Sequence, residues 1–142
     1  MFAAAAGCAG GGGVGSADPV RNAADANAGR TVKYLIPRMT IYRELNLVVQ
    51  ARGYGIEKDI PQKAYLVSDW RYPIRIGETQ PERLKVEGEV VGDLQPPFRV
   101  QIRCRREIQN PETKLWTSAG WAIDEEDALY AELHRALARY RP

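Results

Sequence analysis

The chain is 142 residues long, enough for one compact domain and a tail and too short for two large domains. Apolar residues make up 44% and charged residues 27%, the proportions of an ordinary core-forming chain, which excludes wholesale disorder. Lys and Arg number 20 against 18 Asp and Glu, so no field of one sign points to a nucleic-acid partner.

At the start of the chain, seven of the 13 glycines precede Thr31, and with ten alanines they fill 17 of the first 29 positions. No window nears 18 consecutive apolar residues, so no membrane-spanning helix is encoded. The stretch Ala5-Ala6-Gly7-Cys8 resembles a bacterial lipobox, in which small residues before a cysteine admit the processing peptidase. That resemblance implies Cys8 as the acylated residue, palmitate among its chains, and a lipid anchor in the membrane. No Lys or Arg precedes Arg21, so the sequence is expected to begin inside the true signal. Ala9 to about Gly29 offers almost no large apolar side chain to bury. Residues 1–30 are therefore expected to be a truncated signal and a flexible tether, spanning roughly 25 Å over its 20 or so residues, ahead of a globular domain at 31–142. Ala9 stands where an Asp resembles an inner-membrane retention signal, which implies the outer membrane, with the domain facing the periplasm.

Thr31 to Ile36 is β-prone through Val32, Tyr34 and Ile36 and is closed by Pro37, as an edge strand would be. Ile41, Leu45, Val48, Val49 and Arg52 then recur at helical spacing, with Thr40 a candidate N-cap and Gly53 and Gly55 a candidate stop. Lys63 to Ile76 carries Tyr65, Val67, Trp70, Tyr72 and Ile74 and reads as a strand that ends or bulges near Pro73. In Leu84 to Val91, Leu84, Val86, Gly88 and Val90 alternate with Lys85, Glu87 and Glu89. Phe98, Val100, Ile102 and Cys104 face inward in the next strand, with Arg99, Gln101, Arg103 and Arg105 outward and expected mostly opposite acidic residues. The turn Asn110-Pro111-Glu112-Thr113 leads into a fourth strand over Lys114 to Ser118. Last comes an amphipathic helix, with Asp124 as N-cap candidate, Glu125, Glu126 and Asp127 at its partly positive end, and Leu129, Leu133, Ala136, Leu137 and Tyr140 as its stripe. Arg135, Arg139 and Arg141 complement its other end. The expected fold is α+β, a two-layer sandwich of three to four antiparallel strands with two helices on one face, in the order α-β-β-β-β-α.

Catalytic and metal-binding signatures are thin. His134 is the sole histidine and is expected on the helix surface, and with Cys8 acylated Cys104 is the one thiol left, expected to be a small buried hydrophobe. One His and one Cys cannot make a Cys/His zinc site, neither HExxH nor CxxC occurs, and the glycines at 10–15 follow no strand and open no helix. No catalytic residue, no metal and no cofactor is expected. Trp70, Tyr72, Trp116 and Trp121 remain, and two readings stand for them: completion of the core, or an exposed aromatic patch that grips a partner protein, peptidoglycan or acyl chains. Likewise Arg99, Arg103 and Arg105 form either a solvated ion-pair face or a grip on anionic envelope polymers.

Taken together, Val48 to Ile56, Ala64-Tyr65-Leu66-Val67, Thr113-Lys114-Leu115-Trp116 and the closing Arg139-Tyr140-Arg141-Pro142 look like a pattern recurring in small bacterial envelope lipoproteins. The pattern is a helix ending in Gly-Tyr, a strand entered through Ala-Asp/Tyr-Leu-Val, a Thr-Lys-x-Leu/Val-Trp hairpin and a final helix ending near Tyr/Phe-Pro. The resemblance is to an outer-membrane lipoprotein family of unknown function, and more distantly to auxiliary lipoproteins of envelope assembly. It implies no catalytic residue, and with the Cys8 context, the tether and the thin catalytic inventory the expected function is that of a non-enzymatic, lipid-anchored accessory or assembly protein that binds a partner protein. The alternative is a module holding an envelope lipid or glycan with its Trp and Tyr residues.

Overall fold

A computed structural model describes residues 19–73 and 81–140. Cys8 with the leader around it, the strand positions Ile74 and Ile76, and Arg141 lie outside the described residues. The elements run α1 (Pro19–Thr31), α2 (Arg38–Ala51), β1 (Ile56–Ile60), β2 (Tyr65–Ser68), β3 (Glu82–Val91), β4 (Arg99–Gln109), β5 (Trp116–Trp121) and α3 (Ile123–Ala138). The strands lie side by side in chain order, every pair antiparallel. The α+β class and the antiparallel meander expected from the sequence hold, with one further helix and a fifth strand among the described residues.

Alternation decides the sheet. Leu84, Val86 and Val90 of β3 and Val100, Ile102 and Cys104 of β4 are buried, while the residues between them face away. Ile41, Leu45, Val48 and Val49 of α2 and Leu129, Leu133 and Leu137 of α3 close over that face. Each such aliphatic side chain contributes about 1.5–3 kcal/mol on burial, so this layer is the main stabilising feature. β1 could not be read from the pattern because its middle is Glu57, Lys58 and Asp59, all exposed. It is an edge strand, and its pairing with β2 rests on the backbone and on Tyr42 of α2, whose hydroxyl donates to Asp59 and lies 3.0 Å from the carbonyl oxygen of Tyr65.

Several boundaries differ from expectation. α2 starts at Arg38, before Thr40, because Pro37 (φ −56°) already offers its carbonyl to the amides of Thr40 and Ile41 at 3.0 and 3.1 Å. The helix ends at Ala51, and Gly53, at the expected stop just past its cap, has a φ of +93° that suits glycine. Thr31 to Ile36 forms one bridge, Tyr34 with Phe98, in place of a strand. The strand expected from Lys63 stops at Ser68, after which the chain touches the sheet again through Arg71 and Leu84. β5 begins at Trp116 and runs on to Trp121, and α3 opens at Ile123, so Asp124 sits in the first turn and pairs with Arg106 at 3.3 Å.

The largest correction concerns residues 19–30, expected to be tether. They form α1, which packs against α3 with Ala26 buried. What the segment lacks in large apolar side chains it makes up in closeness: a Cβ on Gly29 would stand 2.8 Å from the carbonyl oxygen of Tyr130. Charges flank this contact, Asp25 with Arg135 at 2.9 Å and Arg30 with Asp127, the Arg30 guanidinium lying 4.5 Å from the centre of the Tyr130 ring. These pairs set α1 antiparallel to α3.

β4 outruns β5, and α3 serves the backbone groups this leaves. The amide of Cys104 donates to Glu126 at 2.9 Å and its carbonyl accepts from Ala122 at 2.8 Å. One turn on, the Tyr130 hydroxyl accepts from the amide of Ile102 at 2.7 Å and donates to its carbonyl at 3.3 Å. The buried Glu126 is therefore a substitute for a strand, as well as a charge at a helix N-terminus.

Candidate functional site

Opposite the helices no described residue covers the sheet, and the aromatic residues singled out in the sequence gather there around a residue that was not. Arg83 points to this open face from β3, in phase with Lys85 and Glu87. Its guanidinium lies 4.0 Å from the centre of the Trp70 ring and 4.3 Å from that of Trp116, a cation between two indoles. Tyr72 meets Trp116 edge-on, ring centres 5.9 Å apart. Arg83 also donates to Glu107, its cross-strand partner, through Nε at 2.9 Å and Nη2 at 2.6 Å.

Three separate segments supply the stack. The Arg71 to Leu84 bridge sets Trp70 and Tyr72 beside Lys85 and Arg83, and Lys85 Nζ lies 5.2 Å over the Trp70 ring while pairing with Glu57 at 2.9 Å. From the far side, Trp116 stands opposite Gln109 at the first position of β5 and presents its ring to Arg83. Trp121, just before the last helix and beyond the expected fourth strand, is the last residue of β5 and faces the same way, opposite Arg105 and 5.5 Å from the Arg103 guanidinium. Tyr72 is 56% exposed and Trp121 49%, so both aromatic ends of this face meet solvent.

The other candidates divide. Arg103 and Arg105 share the open face, Arg103 opposite Glu87 as expected, Arg105 opposite Lys85, a like charge. Arg99 has the same phase in β4 but lies opposite Val91 at the hairpin end, roughly 13 Å along the strand from Arg103. The expected row of opposite charges is thus realised at Arg103 and at the unanticipated Arg83–Glu107 pair. The residue sequence reasoning missed is Arg83, and its signal was there: it continues the outward phase of Lys85 and Glu87 by one step.

On the helix side a second polar cluster is enclosed. Arg52, at the end of α2, makes a fork on Glu125 (Nε to Oε2 and Nη2 to Oε1, both 2.9 Å) and reaches Glu132 at 2.7 Å. The Tyr54 hydroxyl donates to Glu125 at 3.0 Å, and Arg71 lies 4.8 Å over the Tyr54 ring and donates to the carbonyl of Arg52 at 2.9 Å. Burial pushes the Glu125 carboxyl up, but the hydrogen bonds and charge of Arg52 outweigh it and hold the group below the usual carboxylate range. Beneath lies Cys104, a buried free thiol 3.9 Å from the Tyr54 hydroxyl, which burial pushes up to about 12. A thiol so placed is protonated at neutral pH and inert. His134 accepts or donates at Nδ1 with the Tyr34 hydroxyl, 2.8 Å away. Among the described residues no three His, Cys, Asp or Glu side chains are grouped to hold a metal. The open face presents flat π faces, guanidinium groups and paired carboxylates. No known family model and no curated protein matches the chain.

Proposed function

We propose that the chain is a non-enzymatic, lipid-anchored accessory protein of the bacterial outer membrane, held through Cys8, which docks a partner protein of the envelope on its open sheet face. The observation that carries the reading is the Trp70–Arg83–Trp116 stack with Tyr72 and Trp121 at its margins. Aromatic and Arg side chains on a rigid sheet lose little conformational freedom on contact and are the residues on which protein interfaces concentrate their binding energy. The lipobox-like residues before Cys8 supply the anchor. Residues 9–18, ten in number, separate Cys8 from α1 and reach at most about 35 Å, which keeps the domain beside the membrane.

The anchor is tested by labelling the full-length precursor with an alkyne fatty acid beside its Cys8→Ala variant, with label expected on the first alone. For the docking face, photo-crosslinking residues are placed at Tyr72, Trp121 and, on the helix side, Gln50. Protein crosslinks are expected from the first two positions and not the third; equal yields at all three would refute the docking face. Tryptophan fluorescence titrated with envelope lipids and glycan fragments tests the ligand-binding alternative, and a saturable change without crosslinks would favour it.

A further inference from the structure

The hairpin end of the domain carries a second surface, built by four segments. Tyr34 bridges Phe98 at the start of β4, and Arg38 at the start of α2 donates to the carbonyl of Val90 at 3.1 Å and towards that of Lys63 at 3.4 Å. The α1–α2 link, the first turn of α2, the corner between β1 and β2 and the β3–β4 hairpin therefore meet at one end. Exposed apolar side chains collect there: Leu94 at 92%, Leu35 at 77% and Met39 at 48%. Scattered exposed leucines are ordinary, but these three share an end with the cations Lys33, Lys63 and Arg99, with Asp93 in the hairpin loop and Glu89 further along β3.

Pro19, the first described residue of α1, lies at the same end. Tyr34 contacts His134 while bridging Phe98, which places the later turns of α3 toward the hairpin. α1 is antiparallel to α3, Asp25 against Arg135 and Arg30 against Asp127, so its first residue, Pro19, lies at the hairpin end also.

We propose that this end is a membrane seat: Leu94, Leu35 and Met39 enter the interfacial layer of a bilayer while Lys33, Lys63 and Arg99 meet anionic lipid headgroups. The inference deepens the anchored reading and rests on it for orientation, because the acylated residue would then lie at the end that touches lipid. Leucines supply buried apolar area, the cations supply attraction to negative lipid, and their aliphatic stems reach past the headgroups. Because this end is also an end of the strands, the seat stands the sheet upright on the membrane. Its open face is then turned sideways, clear for a partner.

The test uses the full chain as Cys8→Ala, so that binding without acyl chains is measured and failure of the seat is separable from failure of the anchor. Sedimentation is compared with vesicles of phosphatidylglycerol and phosphatidylethanolamine and with vesicles of phosphatidylcholine alone. Binding is expected to the anionic vesicles and to fall with added salt. Leu35→Gln with Leu94→Gln is expected to weaken it about tenfold, whereas Leu47→Gln on α2 leaves it unchanged. Lys33→Gln with Lys63→Gln is expected to weaken it by a similar factor on anionic vesicles only. Because Leu35 and Leu94 are exposed, the melting temperature should not change. Equal binding to neutral vesicles, no binding to either, or identical binding by the Leu35 and Leu94 variant would overturn the proposal.

Discussion

Arginine is put to opposite uses on the two sides of this sheet. Arg52, on the helix side, has its guanidinium forked on the buried Glu125, beside Tyr54 and above Cys104. Arg83, on the open side, lies between Trp70 and Trp116 with Glu107 at its edge. Both pairs are charged and hydrogen-bonded, yet their surroundings differ. Glu125 has been taken out of water and depends on its partners, whereas the Trp70 and Trp116 rings are half-buried and Tyr72 beside them is exposed. The closed side holds the helices to the sheet; the open side keeps aromatic surface in water, which the fold itself does not require.

The hardest test of that division is Arg52→Ala. Removing the fork leaves the buried carboxylate with the Tyr54 hydroxyl and the more distant Arg71, 3.7 Å away, so the expected loss is about 3 kcal/mol, read as a lower midpoint in urea at an unchanged slope. An effect under about 1 kcal/mol would mean that the pair behaves like a surface salt bridge and that the two sides are alike. Titration sharpens the point. The Glu125 carboxyl is held below its ordinary 4.5 in the folded state. Its contribution is therefore complete above that value and is lost as pH falls below it toward the folded value. In Arg52→Gln this part of the acid limb should flatten, which pairs of unfolding curves at neutral and acid pH would reveal.

Glu126 tests a different property of the closed side, its role as a strand substitute. In Glu126→Ala the amide of Cys104 loses its acceptor in a buried place, and the expected cost is about 2 kcal/mol. Hydrogen exchange at Cys104 should accelerate more than at Val86, which stands across from it in β3. In Glu126→Gln, whose carbonyl oxygen still accepts, most of the protection should return. If Ala and Gln variants are equally impaired, charge at the helix terminus matters more than the closure of the β4 edge.

The closed side was the more legible of the two in the sequence. Leu84, Val86 and Val90 alternate with charged residues and Leu129, Leu133 and Leu137 fall at helical spacing, so period alone assigns strand, helix and the face each buries. α1 escaped because Ala26 and Gly29 contribute by being small, and a hydrophobic pattern registers large residues. β1 escaped because an edge strand with a charged middle has no alternation. On the open side, Trp70, Tyr72 and Trp116 could be named but not assembled. Their meeting point depends on Arg71 touching Leu84 and on the register that sets Trp116 against Gln109, long-range facts that no local window contains.

The smallest expected effect on stability belongs to Arg83→Lys, and it decides most about the open face. Lysine keeps the charge and can still reach Glu107, but it lacks the flat group that fills the space between two indoles. Stability should fall by less than about 1 kcal/mol, because the stack lies at the surface and an ion pair is retained. Tryptophan emission should shift as Trp70 and Trp116 lose their common neighbour, and crosslinking from Tyr72 should drop severalfold. A loss of stability comparable to that of Arg52→Ala would instead make the stack a second structural layer holding β5 and the chain after β2 to the sheet. A stable protein that has lost its crosslinks would leave recognition as the reason for an arginine placed between two tryptophans.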